Sequence, residues 1–79
     1  MPRYYFHLHA PRDHLIDETG VVLPDGEAAW YQAVRSAREV IRADLHLGLS
    51  FEEQAIEIVD ERGIPVEQIP LADIASYAL

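Results

Sequence analysis

The sequence predicts a two-layer α+β domain of order strand-strand-helix-strand-strand: a four-stranded antiparallel sheet with one long helix across one face. Three observations carry this. Residues 25–47 hold apolar side chains at helical spacing, Trp30, Ala33, Ala37, Val40, Ile41 and Leu45. Residues 3–9, Arg-Tyr-Tyr-Phe-His-Leu-His, alternate with a period of two and are rich in aromatics. Two apolar runs, 55–60 and 64–69, flank the turn sequence Glu61-Arg62-Gly63, the mark of a hairpin.

The helix is bounded on both sides. Pro24 ends the preceding strand, and the Asp25 carboxylate is suited to accept from the first free backbone amides. Gly48 supplies a C-cap. Alanines on the buried stripe let the sheet approach closely.

In the first strand, Tyr4, Phe6 and Leu8 share one face and Tyr5, His7 and His9 the other. Pro11 and Asp13 turn the chain. A second, irregular strand follows over 14–22, interrupted at Asp17-Glu18-Thr19-Gly20 by a bulge or tight bend. In the third strand Ile56 and Ile58 point one way, Glu57 and Val59 the other. The fourth strand carries Pro65, which lacks an amide hydrogen and belongs at an edge. The expected strand order is two-one-three-four, with the helix covering Tyr4, Phe6, Leu8, Ile56 and Ile58. Residues 1–70 then form the domain. Residues 71–79, with Leu71 and Ile74 at helical spacing, form a tail too short to hold a helix alone.

Composition narrows the function classes. With 79 residues and no cysteine, the chain has a small core and no disulfide or thiolate metal site. Six basic residues, all arginine, stand against 14 acidic ones, a formal net charge of -8. Such a chain repels nucleic-acid phosphates overall. No apolar run spans a membrane. The opening alternates instead of showing a charged and then apolar leader, which gives a cytoplasmic expectation.

Several segments bear a family resemblance. They are the opening Met1-Pro2-Arg3-Tyr4-Tyr5-Phe6-His7-Leu8, then Asp17-Glu18-Thr19-Gly20, Leu23-Pro24-Asp25 and Ala28-Ala29. Ser36-Ala37-Arg38-Glu39, Ile56-Glu57-Ile58 and Asp60-Glu61-Arg62-Gly63 complete the set. Together they resemble a family of small bacterial proteins, mostly alphaproteobacterial, catalogued as domain of unknown function 6894. The turn at 10–14 departs from the glycine-rich turn of that pattern, and the tail after Pro70 is particular to this chain. The resemblance implies a small housekeeping or regulatory protein and brings no catalytic residues with it.

His7 and His9 lie two apart on one strand face, with His14 across the turn, but no fourth ligand is evident, so no metal or other cofactor is expected. Pro2 resembles the N-terminal proline base of small tautomerases, yet this chain has an extra strand before its helix where those folds pass from the first strand straight to the helix. Asp60 and Glu61 with Asp17 and Glu18 match no calcium loop. Ser36, Ser50 and Ser76 have no nucleophile context. Arg35, Arg38 and Arg42 lie on one side of the helix and are the candidate contact for phosphates or an acidic partner, the second functional reading after self-association. A tautomerase-type enzyme ranks third.

The leading expectation is a non-enzymatic interaction module acting as a homodimer. Its predicted interface is the open sheet face, Tyr5, His7, His9 and Val59, with Leu71 and Ile74 of the tail. Tyr is favoured at interfaces because it buries much area at small entropic cost.

Overall fold

In the computed structural model, which describes residues 1–78, the long helix α1 spans Gly26–Leu47. Asp25 caps it, its Oδ1 accepting from the Ala28 N–H at 2.9 Å. Gly48 ends it in the left-handed conformation (φ 73°), with the Gly48 and Leu49 amides donating to the Leu45 and Asp44 carbonyls.

The strands are β1 (Arg3–His9), β2 (His14–Leu15), β3 (Val21–Val22), β4 (Ala55–Val59) and β5 (Pro65–Pro70), followed by the short helix α2 (Leu71–Ala78). All pairings are antiparallel, in the order β2-β1-β4-β5, with β3 also on β1. The expected α+β class and strand order hold. The irregular strand over 14–22 is two short strands, both paired with β1. Leu8 faces Leu15 while Tyr4 faces Val21, so four steps along β1 correspond to six on the returning chain. Two extra residues therefore bulge out between β2 and β3. A shift of two preserves the alternation of faces, so Leu15 and Val21 both lie on the helix side. Pro65 opens the edge strand β5, opposite Val59.

The core joins Tyr4, Ile56, Ile58 and Ile69 of the sheet to Ala29, Ala33, Val34, Ala37 and Ile41 of α1. The three alanines are fully buried and let the helix backbone sit close to the strands. One expectation is corrected. Leu45 is 58% exposed. A 22-residue helix is about 33 Å long, and the longest strand, of seven residues, about 23 Å, so the last turns of α1 overhang the sheet. The tail, too short to hold a helix alone, docks: Leu71 and Ile74 are 0% exposed and belong to the same core. The Leu71 N–H donates to the Gln54 carbonyl at 3.0 Å, which seats the start of α2 beside the chain entering β4. The short helix is held by burial against α1 and β5, not by its own propensity. Leu79, the end of the expected tail, lies outside the described residues.

Among the described residues no helix is long and apolar enough to cross a membrane.

Candidate interaction site

A helix with its side chains is about 10–12 Å wide, and four strands about 4.8 Å apart span about 14 Å between the outermost axes. One helix cannot cover such a sheet. On the β5 side α2 fills the remainder, with Leu71 and Ile74 as its buried contacts. On the β2 and β3 side, nothing equivalent among the described residues packs against α1. The result is a groove of about 370 Å³ between α1 and the β2–β3 margin, lined mainly by Phe6, Leu8, Leu15, Ile16, Val21 and Val40. Leu15 is 64% and Ile16 59% exposed, and Val21 and Val22 are also exposed. Phe6, Leu8 and Val40 lie half-buried along the same opening.

These margin residues did not figure in the expected interface. A signal for them exists in the sequence. Leu15-Ile16 and Val21-Val22 are adjacent apolar pairs, and side chains of neighbouring strand residues point to opposite faces. Here both members of each pair are exposed, because the two-residue strands that carry them lie at the margin, beside α1 rather than under it.

The margin is tied down by polar contacts. Asp17 is their hub: Oδ2 accepts from the Phe6 N–H at 3.1 Å, and Oδ1 accepts from the Thr19 and Gly20 amides at 3.0 Å each. The Asp17 N–H in turn donates to His7 Nδ1 at 3.1 Å. The Asp17 carboxylate thus occupies the place of a ladder partner where the strand is interrupted. Its partial burial alone raises the affinity for a proton. The three backbone N–H bonds, from Gly20, Phe6 and Thr19, together with the field of His7, outweigh that and hold the carboxyl below its ordinary range. Gly20 has φ 73° and sits so close to Arg3 and Tyr5 that a β-carbon would lie 2.9 Å from each side chain and from the Tyr4 carbonyl. Arg3 Nη1 donates to the Thr19 carbonyl at 2.9 Å.

The second hairpin repeats the device. Asp60 Oδ1 accepts from the Arg62 and Ile64 amides at 2.9 Å each, and Gly63 has φ 81°. The Ile64 amide is the main cause that holds the Asp60 carboxyl below its ordinary range, with Arg62 adding to it against slight desolvation. Asp17 and Asp60 therefore serve turns, and nothing brings them together as a cation site.

The open sheet face is more self-occupied than its sequence suggests. Val59 is only 7% exposed, and Tyr5, His7 and His9 are half-buried. His9 Nε2 lies 2.9 Å from Glu57 Oε1, and His9 Nδ1 lies 2.8 Å from His14 Nδ1. With Val59, Leu71 and Ile74 buried within the domain, those three members of the expected interface offer little or nothing to a partner. Among the described residues no three His, Asp or Glu side chains are placed to hold a metal ion. Arg35, Arg38 and Arg42 are exposed on the side of α1 away from the core, and among the described residues none forms an ion pair.

The sequence pattern of a domain of unknown function (DUF6894) matches residues 3–72, all five strands and α1 included. The chain belongs to the DUF6894 family. No curated protein and no solved structure matches it. Seen on the fold, two of the segments that carry the resemblance to DUF6894 are turn builders: Asp17–Gly20 and Asp60–Gly63 each place an aspartate carboxylate on backbone amides and a glycine at positive φ.

Proposed function

We propose that this DUF6894 protein is a non-enzymatic interaction module that works as a homodimer, with the groove at the β2–β3 margin as its contact surface. The observation that carries this is the exposure of Leu15, Ile16 and Val21 beside the unfilled space against α1. Apolar side chains contiguous with a groove, rather than scattered singly, mark contact sites. A second copy is the favoured occupant because it brings the same apolar strip and a flank of low charge. Gln32 and Ser36 are the polar residues that α1 contributes to the lining, with Asp17 opposite. The small core and the lack of disulfides make added burial valuable to a chain this short. The net charge of -8 on each copy opposes association, so moderate salt tightens it.

Light scattering over a dilution series tests the reading. The expected result is a mass approaching twice the 9.0 kDa of the chain, reduced to the monomer in Leu15→Ser/Ile16→Ser. A mass of 9.0 kDa at every concentration up to about millimolar, equivalent to about 4 kcal/mol of association, overturns it.

A further inference from the structure

The two residues of β2 serve opposite faces of the sheet. Leu15 stands across from Leu8 and forms part of the groove wall, while His14 stands across from His9 on the open face. There the two rings meet edge to face, with Nδ1 to Nδ1 at 2.8 Å, and His9 Nε2 reaches Glu57 Oε1 at 2.9 Å.

The hydrogens in this chain of three groups follow from the donor inventory. An ionised carboxylate only accepts, so His9 Nε2 carries a hydrogen toward Glu57. Neutral His9 then has a bare Nδ1, and His14 Nδ1–H donates to it. One added proton keeps the contact. His9 becomes an imidazolium held by Glu57, its Nδ1–H donates to His14 Nδ1, and the exposed His14 carries its own hydrogen on Nε2. A second added proton leaves two N–H groups and two positive charges facing each other at this separation, with no acceptor between them.

The other groups on that face set the balance. Glu57 of β4 is the carboxylate in contact with His9. His7 of β1, two residues from His9, accepts from the Asp17 N–H at its Nδ1. Arg12 and Asp13 in the turn before His14 carry opposite charges. From β5, Gln68 stands opposite Glu57 and is neutral. Both helices lie on the other face of the sheet.

We propose that the His9–His14 pair is a proton-operated latch on β2, closed with no added proton or one and open with two, and that opening releases Leu15 and Ile16 from the groove wall. β2 pairs over two residues only, so losing its one side-chain hydrogen bond removes a large share of what holds it. The consequence for assembly rests on the groove being the dimer contact; the latch itself does not.

Nuclear magnetic resonance of the full chain between about pH 8 and 4.5, the range in which histidine titrates, tests both parts. The His9 and His14 ring resonances are expected to follow two steps, with the Leu15 and Ile16 methyl signals moving in the second and the Ile58 methyl signal unmoved. In His14→Gln the second step disappears from His9 and from those methyl signals. Single-step curves for His9 and His14 with the shape of that for His46, in the last turn of α1, overturn the latch, as do Leu15 methyl signals that stay constant throughout. The dimer dissociation constant is expected to rise at least about tenfold from pH 7.5 to 5 in the wild type, and less than about threefold in His14→Gln, which shares every other change of charge. That tenfold is about 1.4 kcal/mol. An equal rise in both overturns the coupling to assembly. Two-step titration in a protein that stays monomeric upholds the latch and removes the dimer reading.

Discussion

The two margins of the sheet are built on different physics. At the β4–β5 side, strands of five and six residues lie under α1 and α2, and the side chains that hold them are apolar and buried, with Ile58, Ile69, Leu71 and Ile74 at the centre. At the β2–β3 side, two strands of two residues each are held by Asp17, Gly20 and the His9–His14 contact, and their large apolar side chains face solvent. Burial is insensitive to direction and accumulates with area. Hydrogen bonds contribute little net stability each but impose geometry and respond to protons. One margin is therefore suited to stability, and the other to recognition and response.

The largest effects should come from the packed margin. Ile58→Ala and Ile74→Ala each remove a side chain with almost no exposure, at an expected cost of about 2–5 kcal/mol in chemical denaturation. A loss below about 0.5 kcal/mol for Ile74→Ala would detach α2 from the core and erase the contrast between the margins. Next comes overpacking. Ala37 is fully buried where α1 faces the sheet, so Ala37→Leu should lower stability by about 1–3 kcal/mol, and an unchanged denaturation midpoint would place that helix face elsewhere.

At the polar margin, Asp17→Ala should cost about 1–3 kcal/mol, because the part-buried Phe6 N–H loses its acceptor. Acid has the same origin of effect. The folded-state affinity of Asp17 for protons is below its unfolded value, so its contribution is complete above the unfolded pKa of about 3.9 and fades as pH falls through the lower folded value. The stability gap between wild type and Asp17→Asn should accordingly narrow between about pH 5 and 2. A gap independent of pH would mean that the carboxylate does not hold this margin.

The smallest expected effects concern charge and metal. Arg35→Glu/Arg38→Glu should leave stability within about 0.5 kcal/mol, and the wild type should show no binding to duplex or single-stranded probes at physiological salt. Salt-sensitive micromolar binding lost in that variant would transfer the recognition role to the arginine side of α1. Chelator should leave the melting temperature unchanged; a drop of several degrees would reveal metal holding the histidine-rich face.

The sequence by itself determined the elements that depend on local chemistry. Asp25 and Gly48 bound α1 because capping involves a few neighbouring amides and carbonyls. The alternation of Tyr4, Phe6 and Leu8 against Tyr5, His7 and His9 assigned faces because a pleat reverses at every residue. Glycine at positive φ marked the turn at Gly63 for the same local reason. Only the tertiary structure decided what depends on where elements end relative to one another. Leu45 reads as core by period, yet the sheet stops short of it. Leu71 and Ile74 read as part of a tail too short to hold its own helix, and the uncovered margin by β5 is what accepts them. Val59 reads as exposed, yet its neighbours enclose it. Leu15, Ile16 and Val21 read as ordinary strand residues, and they became the candidate contact surface because one helix is narrower than four strands and α2 fills the opposite side. Periodicity reports the direction of a side chain; exposure depends on which elements the fold brings over it.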